Sequence, residues 1–443
     1  MSKKSYVSRR EFITRASLAL AATGLAPLDS LELAQRLAKK YLPLAEAQES
    51  GSPTRIIEIG LRAGVPLIYL GTGKEFKSLT TPRYPNCPFS GNALTDSGNN
   101  LHLNTSTTAL APYAANIAIT QGIANEDGHT DLFSYRKGGG GKNKVSPIIE
   151  VVSRNNSYSL MSGVQFGENV TSNTLGKPDL QKVNTATFFD YFKKPTLLVP
   201  ESEADIIAKA SRELSRKQAL LLERSQKNAV PVANYHSAAV SLMTTDFSSV
   251  LNLNGIPSGL TTGRKAGYAD SAKALAMTLK AMSLNLVNSS LIAINTGDWH
   301  GFQSIGSNPD FPSEMAAILA ATIDYLKKTP EPASAKAETL WDTTLIVVGS
   351  EFTRGISPVG ADNSDGATQG VMLIGKRVRG GYYGGFSLSE AGNAPGVAHG
   401  FDLATGETTP NKTVTNEGVY HTTNALLGNA EFDLKKVFKC MIG

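Results

Sequence analysis

The chain has 443 residues, 41% hydrophobic and 18% charged, which is ample apolar content for a buried core. Its formal charge of +5 is concentrated at the start: the first 47 residues hold eight Lys/Arg against four acids, leaving residues 48–443 at about +1. That residue excludes charge as an argument for nucleic-acid binding, and two cysteines, Cys87 and Cys440, exclude a thiolate zinc site, so a metal must be held by Asp, Glu, His or hydroxyl groups.

The chain opens on Ser8-Arg9-Arg10-Glu11-Phe12-Ile13, followed by an uncharged run from Ala16 to Leu28. This is the pattern of a twin-arginine export signal, read by the twin-arginine machinery, which carries folded proteins across a membrane. The run is shorter than the ~20 residues a spanning helix needs, so no stable membrane insertion is expected. The expected location is periplasmic or secreted. Ala45-Glu46-Ala47 has a small-x-small cleavage pattern but lies far beyond the run, so either cleavage is late or Leu31 to Leu44 persists as a helix. Export to an oxidising compartment permits a Cys87–Cys440 bridge.

Residues 1–47 are therefore expected to be signal and linker, and residues 48–443 a single domain. Strands are predicted at Val65–Leu70, Ile117–Ile123, Leu291–Asn295, Leu345–Gly349 and Val371–Ile374, each a short Ile/Val/Leu-rich run. Helices are predicted at Glu201–Asn228, Ala269–Val287 and Pro312–Lys328. In the second of these, Leu275, Leu279, Met282 and Leu286 form one apolar stripe. Alternation of the two kinds predicts an α/β fold, a three-layer sandwich around a mostly parallel sheet. Residues 142–187, rich in Ser, Asn, Thr and Gly, read as a loop-rich insertion of short strands. The Gly138–Gly141 run before Lys142 lacks the spacing and the hydroxyl of a phosphate loop and reads as a turn.

Four predicted strands end in polar tails: Gly71-Thr72-Gly73-Lys74-Glu75, Asn125-Glu126-Asp127-Gly128-His129, Gly297-Asp298-Trp299-His300 and Ser350-Glu351-Phe352-Thr353-Arg354. In open α/β sheets the carboxyl ends of parallel strands converge on one crevice, so four tails predict one site. Asp298 and His300 are two apart, so in an extended tail both point the same way and can reach one divalent cation. Glu351 follows an apolar strand where a lone carboxylate is costly; it meets a cation or pairs with Arg354, whose planar fork suits an anionic ester. His129, in an acidic tail, suits a metal ligand or a general acid. The remaining histidines, His102, His236, His399 and His421, read as lying in loops or helix starts. No Gly-x-Ser-x-Gly elbow is present.

Taken in order, these segments resemble a twin-arginine-exported family, domain of unknown function 1501, itself similar to the alkaline phosphatase and sulfatase superfamily. The likeness is carried by Leu101–Pro112 with Ile117–Ile123 and Gly128-His129, by Asp270–Leu286 leading to Ile294–Gln303, by Thr344–Arg354, and by Val371–Gly375 with Arg379–Gly384. It implies an alkaline-phosphatase-like fold and a divalent metal, Zn, Ca or Mn, held by Asp298 and His300. The chain departs from that pattern in two places. Asn363-Ser364-Asp365-Gly366 stands where relatives carry Asp-His, so Asp365 alone can stand in, and the early tail holds Lys74, which repels a cation. Two readings follow. One is an exported metal-dependent hydrolase of small anionic phosphate or sulfate esters; the other is a catalytically inactive relative that binds a ligand or a partner protein.

Overall fold

The computed structural model describes residues 55–62, 64–78, 95–124, 147–155, 161–167, 180–192, 247, 250–296, 309–332, 337–350, 368–387, 397–410, 412–429 and 432–443. In chain order the strands are β1 (Arg55–Leu61), β2 (Thr95–Asp96), β3 (His102–Leu103), β4 (Ile117–Ala124), β5 (Met161–Phe166), β6 (Gln181–Val183) and β7 (Val287–Ile294). They continue with β8 (Thr344–Ser350), β9 (Thr368–Ile374), β10 (Gly381–Tyr383), β11 (Gly385–Ser387), β12 (Val397–Phe401) and β13 (Thr408–Thr409). The main helices are α1 (Pro147–Asn155), α2 (Ala266–Ser283), α3 (Phe311–Lys328) and α4 (Asn416–Leu427).

Eight strands make one sheet in the order β10-β4-β9-β8-β1-β7-β5-β6. Every pairing in it is parallel except those of β9, which runs antiparallel to both β4 and β8. Because β-strand side chains alternate, each buried strand feeds two cores. Ile57, Ile59, Ile346, Val348, Met372 and Ile374 join one cluster with Leu275 and Leu279 of α2 and Ile318 and Leu319 of α3. Ile56, Leu345, Val347, Val371 and Leu373 join another with Val151 of α1 and Leu426 of α4. Helices thus cover both faces, and the expected three-layer α/β architecture with a mostly parallel sheet is the one observed.

A bulge in β4 adjusts this alternation. The register with β9 shifts between Thr120 and Ile123, and Ile123 packs in the second cluster although Ile117 and Ile119 pack in the first. Gly122 makes the bulge possible: its φ is 72°, and a Cβ there would lie 2.2 Å from the His399 carbonyl oxygen.

Several expectations are corrected. Val65–Leu70 is not a strand; Pro66 starts a buried 3-10 turn over Leu67–Tyr69, and the central strand is β1, which the sequence reading missed. The charged Arg55 and Glu58 interrupt its apolar run, yet both are buried. Helix α2 stops at Ser283, where Leu284 caps it and Asn285 turns left-handed at φ 55°. Leu286 therefore lies beyond the helix, and β7 begins at Val287, its Asn288-Ser289-Ser290 stretch being too polar to read as strand. Residues 142–187 contribute α1, β5 and β6 to the main sheet and its covering layer, so the described part of that stretch is no insertion. His102 lies in β3, His399 in β12 and His421 within α4, all buried, rather than in loops or helix starts. Cys440, one of the two cysteines between which the sequence left a bridge open, is a buried free thiol, pushed up to about 12 chiefly by desolvation. The signal segment, Glu201–Asn228, Gly138–Lys142 and Cys87 lie outside the described residues.

Candidate functional site

The strand registers set which chain ends meet. Leu61 at the end of β1 sits opposite Ile294 of β7 and Ser350 of β8. Gly349 of β8 sits opposite Val371 of β9, and Ala124 of β4 opposite Thr368, the first residue of β9. Since β4, β8, β1 and β7 run in one direction and β9 in the other, four exits and one entry lie on a single edge of five adjacent strands.

Each expected site residue attaches to one of these ends. Asp298 and His300 follow shortly after β7, Glu351 and Arg354 directly after β8, and His129 after β4; Asp365 shortly precedes β9. All six lie outside the described residues, so it is their anchoring points that the structure defines.

The anchoring points are tightly held. The Arg62 amide donates to the Ile294 carbonyl at 3.1 Å, and the Thr296 hydroxyl donates to the Arg62 carbonyl at 3.0 Å, tying the start of the Asp298 tail to the chain leaving β1. Thr296 is buried. On β4, the Ala124 amide donates to the Val414 carbonyl at 2.8 Å and the Val414 amide to the Gly122 carbonyl at 2.9 Å. The side-chain Nε2 of Gln369 donates to Asn416 Oδ1, fixing the start of β9 to that of α4. Among the described residues, the hydroxyl of Ser350, the last residue of β8 and 1% exposed, and both amide atoms of the fully buried Gln121 in the β4 bulge have no hydrogen-bond partner. They share this with other buried polar groups of the sheet, Thr120, Ser289, Ser290 and Thr344 among them.

The fourth tail behaves differently. Gly71–Glu75 follows the 3-10 turn, not a strand, and Thr72 pairs by backbone with His102 at 2.9 and 2.8 Å. Its Glu75 carboxyl is raised to about 6, first by desolvation, while the backbone amides of Glu75 and Phe386 and the Lys74 charge oppose the rise. Gly73 provides the room, since a Cβ there would lie 2.3 Å from a Glu75 carboxylate oxygen. Sequence reasoning singled out the tail but not Glu75 as a titrating group; the Gly73-Lys74-Glu75 spacing was the available signal, but only burial raises the acid. Likewise nothing in the sequence marked Gln121.

Of the other histidines, His236 lies outside the described residues, and the buried His421 has a structural role. His421 Nδ1 accepts from the Asp433 amide at 2.9 Å, leaving Nε2 toward Glu417 at 3.6 Å. Among the described residues no group of three or more His, Cys, Asp and Glu is placed to hold a metal, and no helix is long and apolar enough to cross a membrane. The expected ligands belong to the tails, where an oxygen-and-imidazole set of Asp298, Asp365 and His300 suits Zn or Mn better than Ca.

No protein-family model matches the chain, and no curated protein matches it. Among solved structures, the alkaline phosphatase TAB5, in a mutant with Mg bound in its M3 site, is similar at 12% identity and a TM-score of 0.29, over 85% of this chain and 98% of that one. The lipoteichoic acid synthase LtaP from Listeria monocytogenes is similar at 8% identity and a TM-score of 0.28, over 93% of this chain and 79% of that one. At such scores the likeness assigns no chemistry, and the α/β fold rests on the chain's own sheet.

Proposed function

We propose that the protein is an exported metal-dependent hydrolase of small phosphate or sulfate esters, its site built at the carboxyl edge of the sheet. The observation that carries the reading is the shared edge: the ends of β4, β7 and β8 and the start of β9 are level, and the six residues that suit ester hydrolysis come from these four ends. A site assembled from strand ends is the arrangement that open α/β sheets use for ligands.

In this reading Asp298, His300 and Asp365 hold the divalent ion. When bound, such an ion polarises the ester and makes water a stronger nucleophile at neutral pH. Arg354 grips the non-bridging oxygens through its planar fork and offsets charge that builds on them, and Glu351 orients that fork. His129, kept basic by Glu126, Asp127 and Asp131, protonates the leaving oxygen. The twin-arginine signal fits this chemistry, because export after folding lets the metal be loaded first.

Elemental analysis of the full chain, purified folded and loaded with Zn²⁺, Mn²⁺ or Ca²⁺, tests the reading together with hydrolysis of aryl phosphate and aryl sulfate. The expected result is a stoichiometric metal lost in Asp298→Ala, with turnover of one ester lost in both Asp298→Ala and Arg354→Ala. A folded wild-type chain that binds no metal and hydrolyses neither ester overturns the hydrolase and leaves a binding role for the same edge.

A further inference from the structure

The chain that leaves β7 leads to Asp298 and His300, and a side chain directs it before either residue is reached. In a parallel pair, a residue donates its amide to the residue before its partner and accepts, at its carbonyl, from the amide of the residue after that partner. Leu61 is opposite Ile294, so Arg62 falls next in line, opposite Asn295. Its first bond is regular: the Arg62 amide donates to the Ile294 carbonyl at 3.1 Å. Its second is not. The donor to the Arg62 carbonyl is the Thr296 hydroxyl, at 3.0 Å, standing where the ladder would use the Thr296 amide. The ladder therefore stops at Ile294, the backbone leaves the sheet at Thr296, and the Arg62 carbonyl still has its donor.

The exit is held from both neighbouring strands. Thr296 is buried, and a β-branched side chain is stiff at χ1, so anchoring its hydroxyl also fixes its backbone. On the other side, Arg62 Nη2 donates to the carbonyl of Gly167, the residue after β5, at 3.3 Å. Because β7 lies between β1 and β5, the Arg62 side chain crosses the end of β7 to make that bond. Gly167, at φ 69°, keeps the chain after β5 close to β7, since a Cβ there would lie 3.4 Å from the Ala293 carbonyl oxygen.

We propose that Thr296 is a positioning residue for the metal: its hydroxyl, spent on the Arg62 carbonyl, sets the direction in which Asp298 and His300 are presented. The proposal rests on the ester-hydrolase reading, in which those two residues are ligands. Ligands held in place before the ion arrives lose less freedom on binding it, so loosening their anchor weakens the ion's hold. A valine at this position fills the same volume but offers the Arg62 carbonyl no hydroxyl. Its backbone amide is then the available donor, and using it would carry the ladder onward and re-aim the tail.

Affinity of the full chain for Zn²⁺ and for Mn²⁺, measured by competition with a chromophoric chelator well below the melting temperature, tests this. Thr296→Val is expected to lose about tenfold in affinity, the lower end of what partners outside a metal's own ligands contribute, while Thr296→Ser, which keeps the hydroxyl, stays within about threefold of wild type. If Thr296→Val does not fold, Thr296→Ala removes the hydroxyl without the branched side chain and is held to the same expectation. A hydroxyl-free variant that melts lower without metal yet binds both ions as wild type does has lost only a structural bond, and that result overturns the proposal. Equal weakening in Thr296→Ser overturns it too, because the hydroxyl would then not be the cause. Failure of the hydrolase reading looks different: the wild-type chain itself binds neither ion, and the proposal falls with it.

Discussion

Glu331→Ala should cost this protein a large share of its stability. Arg55, at the start of the central strand, is 1% exposed and Glu331 is 2% exposed. Arg55 Nη2 donates to Glu331 Oε1 at 2.7 Å and Nε to Oε2 at 3.2 Å, a two-pronged pair. The remaining guanidinium donors reach the Val287 carbonyl at 3.2 Å, Asn285 Oδ1 at 3.1 Å and Asn288 Oδ1. The Thr343 hydroxyl also donates to Glu331 Oε2 at 2.5 Å. Removing the carboxylate leaves a guanidinium buried without a counter-charge, which costs about 3–5 kcal/mol. The Thr343 hydroxyl keeps the Leu340 carbonyl, at 3.2 Å, as an acceptor and adds little. A loss of roughly 3–5 kcal/mol is a large part of the ~5–15 kcal/mol typical of folded proteins. The pair joins the amino ends of β1 and β7 to the segment before β8, so it also holds the register that brings the carboxyl ends level. Urea denaturation followed by circular dichroism measures the effect as a lower midpoint at unchanged slope. The double variant Arg55→Met/Glu331→Leu, which removes both charges, should recover most of the loss. A Glu331→Ala midpoint shift worth less than about 1 kcal/mol would refute the claim that this pair is energetically buried.

Other perturbations test the bulge, the raised acid and the buried thiol. Gly122→Ala forces a Cβ onto the His399 backbone at φ 72° and should destabilise by about 3 kcal/mol or more, seen as a lower melting temperature with faster amide exchange in β4 and β12; a neutral result removes the bulge argument. Glu75, raised from an ordinary 4.5 to about 6, contributes stability that is fully present below pH 4.5 and lost as pH rises through 6. The loss amounts to roughly 2 kcal/mol by the upper plateau, so Glu75→Gln should be the more stable form at pH 8. Urea midpoints of both proteins from pH 4 to 8 check this, and parallel curves would contradict it. Cys440, pushed up to about 12, should resist iodoacetamide at pH 8 in the folded protein and react on unfolding, read by peptide mass mapping; rapid native labelling would show the thiol is not buried.

The part of the sheet that was legible is the part whose strands, such as β8 and β9, carry apolar runs. Thr344–Ser350 and Thr368–Ile374 extend the runs predicted at Leu345–Gly349 and Val371–Ile374 by a few polar residues at their ends. Helix α3 matches its prediction to one residue, since Pro312 sits in its first turn and Lys327 and Lys328 in its last. The site was legible only as a pattern of polar residues placed directly after such runs.

Local sequence alone determined where apolar runs begin and end, the twin-arginine pattern at the front, and which polar residues follow each strand, because these depend on neighbours along the chain. Only tertiary structure decided that β1 is the central strand, since Arg55 becomes a strand residue through Glu331, which is remote in sequence. The same holds for β9 running antiparallel among parallel neighbours, and for the raised Glu75, whose proton affinity is set by burial and by Phe386. Charge burial and strand order are properties of contacts between distant segments, and no stretch of sequence carries them by itself.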